Sequence, residues 1–296
     1  MKNKKVLVTG SSGFIGSHIA DILYESGYNI ILFDSIPSLY KNKNQVEFIG
    51  DILNVDDVNQ AMEGCSYVFH FAAQADIELS NKNPVDTIKI NILGTQNILE
   101  SARKNKIKRI FFASTIYVYS ELGSFYRVSK QSCEKIIEEY EKEYNIKYTI
   151  LRFGSLYGPR ANKFNAINKF LFQALKYNKI TRNGNGEEIR EYIHVKDACK
   201  LCLDAMNDKY VNKHLIITGS QSIKVRDLLI MISEMFQNKI KIEYIKANTL
   251  HHYQVTPYNF RPAIAEKIQP KENYDLGQGI LDLIYSLSQN EKSNNK

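Results

Sequence analysis

A chain of 296 residues with 44% hydrophobic side chains can bury a full core, as one large domain or two unequal ones. Its 39 Lys and Arg against 32 Asp and Glu leave a formal charge of +7, but the basic residues are scattered without interleaved aromatics, which favours small anionic ligands and gives nucleic acid no footing. Four cysteines make no disulfide framework in a chain this long, which suits a reducing cytoplasm, and no apolar run nears the roughly 20 residues of a membrane span.

The basic, then apolar N-terminus resembles a signal peptide, but its apolar stretch breaks at Thr9-Gly10-Ser11-Ser12 and reads as a first strand. Short apolar runs then alternate with segments of helical period: Lys5–Val8 and Phe14–Ser26, Ile30–Phe33, Val46–Ile49 and Asp56–Glu63, Tyr67–Ala72 and Asp86–Lys104. Arg109–Ala113, Tyr126–Tyr144 and Tyr148–Phe153 continue the series. Such alternation predicts an α/β fold, a Rossmann-type doubly wound parallel sheet covered on both faces. After Gly158-Pro159 the texture changes. A helix at about Lys163–Tyr177 precedes Asn183-Gly184-Asn185-Gly186, flanked by strand-like residues and read as a hairpin. Helix Val195–Met206, strand His214–Thr218, helix Val225–Phe236 and strand Ile240–Ile245 follow. The polar stretch 290–296 is expected to be a disordered tail. Cys199 and Cys202 form a CxxC within a predicted helix with no second pair to complete a zinc site. With Cys65 and Cys133 they are read as core residues, and no metal is expected.

The turn after the first strand is Gly10-Ser11-Ser12-Gly13-Phe14-Ile15-Gly16, opening an amphipathic helix. Gly10 permits the tight turn, Gly13 lets backbone approach a pyrophosphate at the helix N-terminus, and Gly16 allows close packing of helix on strand. Asp34 ends the second strand, where a carboxylate accepts hydrogen bonds from ribose hydroxyls and repels a 2′-phosphate, so NAD is favoured over NADP. Asp51-Ile52 falls beside the adenine position, and Phe71-Ala72-Ala73 closes the fourth strand along the cofactor, with Gln74 continuing towards the substrate.

Tyr126 and Lys130 stand four apart, on one helical face. An ammonium near a phenol favours the phenolate and lowers the tyrosine pKa, and an oxidised nicotinamide would add to this. The spacing alone is cheap, since Tyr192 and Lys196 repeat it. Context separates them: the Tyr126 pair opens the helix after the fifth strand, which Ser114-Thr115 ends with a hydroxyl towards the same cleft. His194 is read as a structural hydrogen-bonder.

The chain resembles the extended short-chain dehydrogenase/reductase family, the NAD-dependent nucleotide-sugar epimerases and dehydratases. The resemblance runs from Gly10 to about Asp282, through the glycine turn, Asp34, Asp51-Ile52, Phe71-Ala72-Ala73, Asn91 and Ser114-Thr115-Ile-Tyr-Val-Tyr119. It continues through Tyr126-xxx-Lys130, Leu151-Arg152-Phe-Gly-Ser155-Leu-Tyr157-Gly158-Pro159-Arg160 and Arg190-Glu-Tyr192-Ile-His194-Val-Lys-Asp197. It implies Tyr126 as acid/base, Lys130 on the nicotinamide ribose and Thr115 on a substrate hydroxyl. It further implies that Ser12, Gly13, Phe14 and Ile15 hold the cofactor and that Gln74 and Ser155 face a nucleotide sugar; Arg190 and Arg261 are candidates to grip its diphosphate bidentately, with a surface ion pair the alternative for each. A Rossmann domain over 1–153, rejoined by 190–218, and a substrate domain of 154–189 and 219–289 are expected. A homodimer through the helices Asp86–Lys104 and Tyr126–Tyr144 is expected too.

Three departures bear on function. Six residues separate Tyr119 from Tyr126, where the family has a longer loop over the sugar; Ile116-Tyr117 stands where its 4,6-dehydratases carry Asp-Glu; Ser155 replaces an Asn that touches phosphate. Without that acid pair the loss of water has no evident proton donor or base. An NAD-dependent nucleotide-sugar epimerase working through a keto-sugar is therefore expected. A keto-sugar reductase or dehydrogenase and a non-catalytic NAD(H) sensor are the alternatives.

Overall fold

The computed structural model describes residues 4–245, 266–268, 270, 272 and 274–294. Its first part runs β1 (Lys5–Thr9), α1 (Phe14–Glu25), β2 (Asn29–Asp34), β3 (Val46–Ile49), α2 (Val55–Met62), β4 (Tyr67–His70), α3 (Ile77–Lys82), α4 (Pro84–Ile88), α5 (Gly94–Lys104), β5 (Arg109–Thr115), α6 (Ser124–Tyr144) and β6 (Tyr148–Phe153). Then come β7 (Ser155–Tyr157), α7 (Ala166–Tyr177), β8 (Lys179–Asn183), β9 (Ile189–His194), α8 (Val195–Asp204), β10 (Lys213–Ile217), β11 (Ser222–Lys224), α9 (Val225–Met235), β12 (Lys241–Ile245), β13 (Glu266–Ile268) and α10 (Leu276–Asn294).

Eight strands form one parallel sheet in the order β13-β10-β6-β5-β4-β1-β2-β3, the doubly wound arrangement expected. β4, β5 and β6 are buried at every position, as strands covered on both faces must be. One face packs on α1 and α8 through Ile19, Leu23, Ala198 and Cys202, the other on α2, α5 and α6 through Met62, Ile98 and Ile137. All four cysteines are buried and unpaired, as the core reading requires. The chain leaves β1 towards β2 on one side, whereas β4 lies on the other. The carboxyl ends of β1 and β4 therefore part at a switch point, and the crevice there is where such sheets take ligands.

A third apolar cluster, built on Ile167, Leu171, Leu228, Ile232 and Ile280, unites α7, α9 and α10 with the small sheets β12-β8 and β11-β9-β7. Here the structure corrects the sequence reading. β8 and β9 make no hairpin: β8 pairs in parallel with β12, and β9 pairs with β7 and β11, because Gly184 and Gly186, both at positive φ, turn the chain into another sheet. β13, assigned to the substrate domain, is the edge strand of the large sheet beside β10. Residues 290–294 of the expected disordered tail belong to α10, which runs to Asn294; the last two lie outside the described residues. The helix expected over Asp86–Lys104 begins at Pro84 and passes through a π-helical segment, Lys89–Leu93.

Candidate active site

The glycine turn fits its conformation. Gly10 has φ +68°, and a Cβ there would stand 2.7 Å from the Ala72 nitrogen; a Cβ on Gly16 would stand 2.1 Å from the Gly10 carbonyl oxygen. Only glycine lets β1, β4 and α1 come this close. Gly13 caps α1 without a side-chain hydrogen bond, and the first turn carries no acid, so its N–H groups and the positive end of the helix dipole are open to an anion. Asp34 accepts a hydrogen bond from Ser12 N at 2.9 Å, and Ser12 Oγ donates to the Ile36 carbonyl at 2.8 Å. Ser12 therefore shapes the loop and does not line the cleft.

The cleft measures about 740 Å³ and runs from this turn to α6. Gly10, Gly13, Phe14, Ile15, Gly16 and Asp34 line one end. Asp51, Ile52, Phe71, Ala72, Ala73 and Gln74 line its length, and Thr115, Tyr126 and Lys130 the other end. An open helix N-terminus, a carboxylate for ribose and a distant lysine at the ends of one long crevice suit a dinucleotide.

At the far end burial governs charge. Tyr126 is hydrogen-bonded to Thr115, which lowers its pKa, but burial outweighs this and pushes the phenol up to about 12. Burial likewise pulls the Lys130 ammonium down to about 8, against the charge of Glu134. Lys130 Nζ donates to the Ala113 carbonyl at 2.8 Å and lies 4.7 Å from the centre of the Phe112 ring. The expectation that Lys130 by itself draws the phenol down is therefore corrected: with the ammonium on a carbonyl of β5, desolvation sets the tyrosine's pKa.

Asn91, buried in the π-helical segment, holds the Gln74 side of the cleft wall. Its Oδ1 accepts from Gln74 N at 2.7 Å, while Nδ2 donates to the Gln74 carbonyl at 3.1 Å and to Ser129 Oγ at 2.8 Å. Ser129 in turn donates to the Tyr126 carbonyl at 2.8 Å. A π turn carries such a functional side chain often enough to be a marker. Asn162, Phe164 and Asn165, from the approach to α7, also line the cleft, and no motif pointed to them. The signal that was there is the capping pattern: Asn165 Oδ1 accepts from Asn168 N at 3.1 Å.

Other expected residues lie elsewhere. Ser155 on β7 and Arg190 on β9 are in the three-stranded sheet and do not line this cleft; the Arg190 guanidinium donates to the Ile189 carbonyl at 2.9 Å. Arg261 lies outside the described residues. Tyr192 and Lys196 do not line the cleft, which separates them from the Tyr126 pair. His194 stacks on Tyr274 at 4.5 Å and caps α8, accepting from Lys196 N, a structural role as expected. No cluster of metal-ligating side chains occurs among the described residues.

A glycine turn at the switch point of a doubly wound sheet, facing a Thr-Tyr-Lys set on β5 and α6, defines a dinucleotide-dependent enzyme of the short-chain dehydrogenase/reductase type. The chain belongs to the NAD-dependent epimerase/dehydratase family, whose model matches residues 6–217, and NAD is its cofactor. A Methanocaldococcus jannaschii protein named "Putative UDP-glucose 4-epimerase" is 31% identical over 97% of this chain and 100% of its own length. A UDP-N-acetyl-alpha-D-glucosaminuronate decarboxylase of Bacillus cytotoxicus is 28% identical over 95% and 97%. The crystal structure of a Thermotoga maritima UDP-glucose 4-epimerase with UDP-glucose superposes with a TM-score of 0.86 at 26% identity, over 97% of this chain and 99% of that one.

Proposed function

We propose that this protein interconverts the epimers of a UDP-hexose, with the sugar hydroxyl that reacts at C4 held between Thr115 and Tyr126. The observation that carries it is the cleft itself: Thr115, Tyr126 and Lys130 meet at one end of a dinucleotide-shaped crevice, while Ile116-Tyr117 supplies no acid for elimination. Likeness to two proteins named UDP-glucose 4-epimerase supports the choice of nucleotide and carbon.

Thr115 bonds the substrate hydroxyl, and Tyr126, once ionised to the phenolate, takes its proton and as the phenol later returns it. A phenol buried to a pKa of about 12 releases that proton at neutral pH only when positive charge is added beside it. Oxidised NAD, when bound here, would supply that charge and the hydride acceptor for the sugar carbon. Lys130 adds its ammonium and fixes the ribose on which the ring is carried. Asp34 and the α1 N-terminus would hold the opposite half of the cofactor and keep it in the cleft. Gln74, held through Asn91, borders the space where the keto-sugar turns.

Incubation with UDP-glucose, UDP-N-acetylglucosamine and UDP-glucuronate, followed by NMR of the sugar and absorbance at 340 nm, tests this reading. We expect the C4 epimer of one of them to accumulate to equilibrium without net NADH turnover. Stoichiometric NADH consumption would instead make the protein a keto-sugar reductase. A homodimer through α4 and α6 is part of the proposal. The two helices pack together and expose Val85 (62%), Ile88 (45%) and Val128 (43%), apolar side chains that a second copy would cover. Val128→Glu should give the mass of a monomer in light scattering.

A further inference from the structure

Glu134 is a carboxylate with its side chain only 4% exposed, and the steps above do not use it. It sits one helical turn past Lys130 and two past Tyr126 on the same face of α6. Three turns of that face meet the end of β5. Tyr126 is bonded to Thr115, Lys130 Nζ donates to the Ala113 carbonyl at 2.8 Å, and Ser114 Oγ donates to Glu134 Oε1 at 2.5 Å. From β6, Arg152 donates to both carboxylate oxygens, at 3.0 and 2.5 Å, and with its third nitrogen to Tyr119 Oη at 2.5 Å. On β10, His214 Nδ1 lies 2.7 Å from Arg152 Nη2.

We propose that Glu134 is a positioning residue for the reaction. Its carboxylate pins the Tyr126–Lys130 face of α6 to the Ala113–Thr115 end of β5 and, four residues on along the same face, adds its negative charge to the surroundings of the Lys130 ammonium. The word reaction rests on the function proposed above; the pinning and the added charge do not. A buried ion pair costs desolvation that apolar packing would avoid, so its value here lies in register and charge.

The groups that face Lys130 leave this task to Glu134. His70 on β4 is held neutral by burial and by Lys130 itself, its pKa pulled down to about 3, with its ring nitrogens on the Thr9 and Thr95 hydroxyls. Burial pushes the Cys133 thiol up, so it too is neutral. The Tyr126 phenol is raised, the Phe112 ring offers only its face, and Arg152 lies on the far side of the carboxylate with His214 and Glu138 beyond. Burial alone would raise Glu134, but the hydrogen bonds and charge of Arg152 and the hydrogen bond from Ser114 hold it down to about 2, so it is charged at every working pH.

The test reads Lys130 directly, without cofactor or substrate, by NMR of the whole protein carrying ¹³Cε-lysine, the signal being assigned by its loss in Lys130→Met. In Glu134→Gln the titration midpoint should fall by about one pH unit, the size of one nearby charge, and the alkaline limb of kcat should fall with it. Glu134→Asp keeps the charge but cannot span Ser114 and Arg152 together. There we expect a smaller fall of the midpoint and a several-fold loss of kcat at unchanged KM. A folded Glu134→Gln protein with both midpoint and alkaline limb unmoved overturns the proposal. Should Arg152, left without its partner, prevent that variant from folding, an Asp variant equal to wild type in midpoint and kcat overturns it instead. An inactive Tyr126→Phe enzyme beside an unmoved Lys130 midpoint removes this inference and leaves the epimerase reading; a fully active Tyr126→Phe enzyme removes the epimerase reading alone.

Discussion

Tyr126 shows how far a single residue's chemistry depends on its surroundings. Burial lifts its phenol to about 12 and one hydrogen bond from Thr115 opposes that, so the proton must leave under the influence of charges assembled around it. Tyr126→Phe removes the proton acceptor and one hydroxyl while keeping the ring against Tyr117; we expect kcat to fall by about 10²–10⁴ with the melting temperature little changed. At the other end Asp34 carries a charge that can accept from ribose while also accepting from Ser12 N. Asp34→Asn keeps an acceptor for Ser12 but loses the charge. It should weaken NAD by roughly tenfold and narrow the preference over NADP, as titration with both dinucleotides would read. These residues were legible because each sits at a fixed offset from a strand end. Asn162 and Glu134 were not, since what gives them meaning is a neighbour far along the chain.

At the scale of the element, the π-helical segment Lys89–Leu93 is the instructive case. Its extra residue turns Asn91 inward, where a regular helix would carry the side chain onward, and Asn91 there satisfies both backbone groups of Gln74. Asn91→Ala would leave a buried N–H and carbonyl without partners and should cost about 1–3 kcal/mol, measured as a lower urea midpoint. Because Gln74 lines the cleft, KM for the sugar nucleotide should rise in the same variant. The helical period of Asp86–Lys104 could not reveal the segment, since a single widened turn hardly disturbs the apolar pattern. Turn chemistry misled in a similar way at Asn183–Gly186. The glycines do mark a turn, but the strands they join find partners in separate sheets.

Across the whole molecule, three buried histidines set the response to acid. Burial, first of all, pulls His18 and His70 down to about 3 and His194 to about 4, so each is neutral when folded at neutral pH. Each folded value lies below the unfolded 6.5, so the stability they contribute is present above pH 6.5 and is lost as pH falls towards 4 and 3. With three sites the loss approaches about 4 kcal/mol per pH unit, and the melting temperature should drop steeply between pH 6.5 and 5. A flat profile there would mean that the three rings are protonated in the folded protein. The amino-acid sequence by itself determined the doubly wound sheet, the glycine turn, the acid that follows it and the Tyr-Lys spacing. All of these are set by local periodicity or by short offsets from strand ends, where neighbours in sequence are neighbours in space. Tertiary structure alone decided that β13 returns to the large sheet, that the approach to α7 borders the cleft, and that desolvation rather than Lys130 governs the phenol. Strand partners, cavity walls and burial are made by segments far apart in the chain, and no local pattern records which of them will meet.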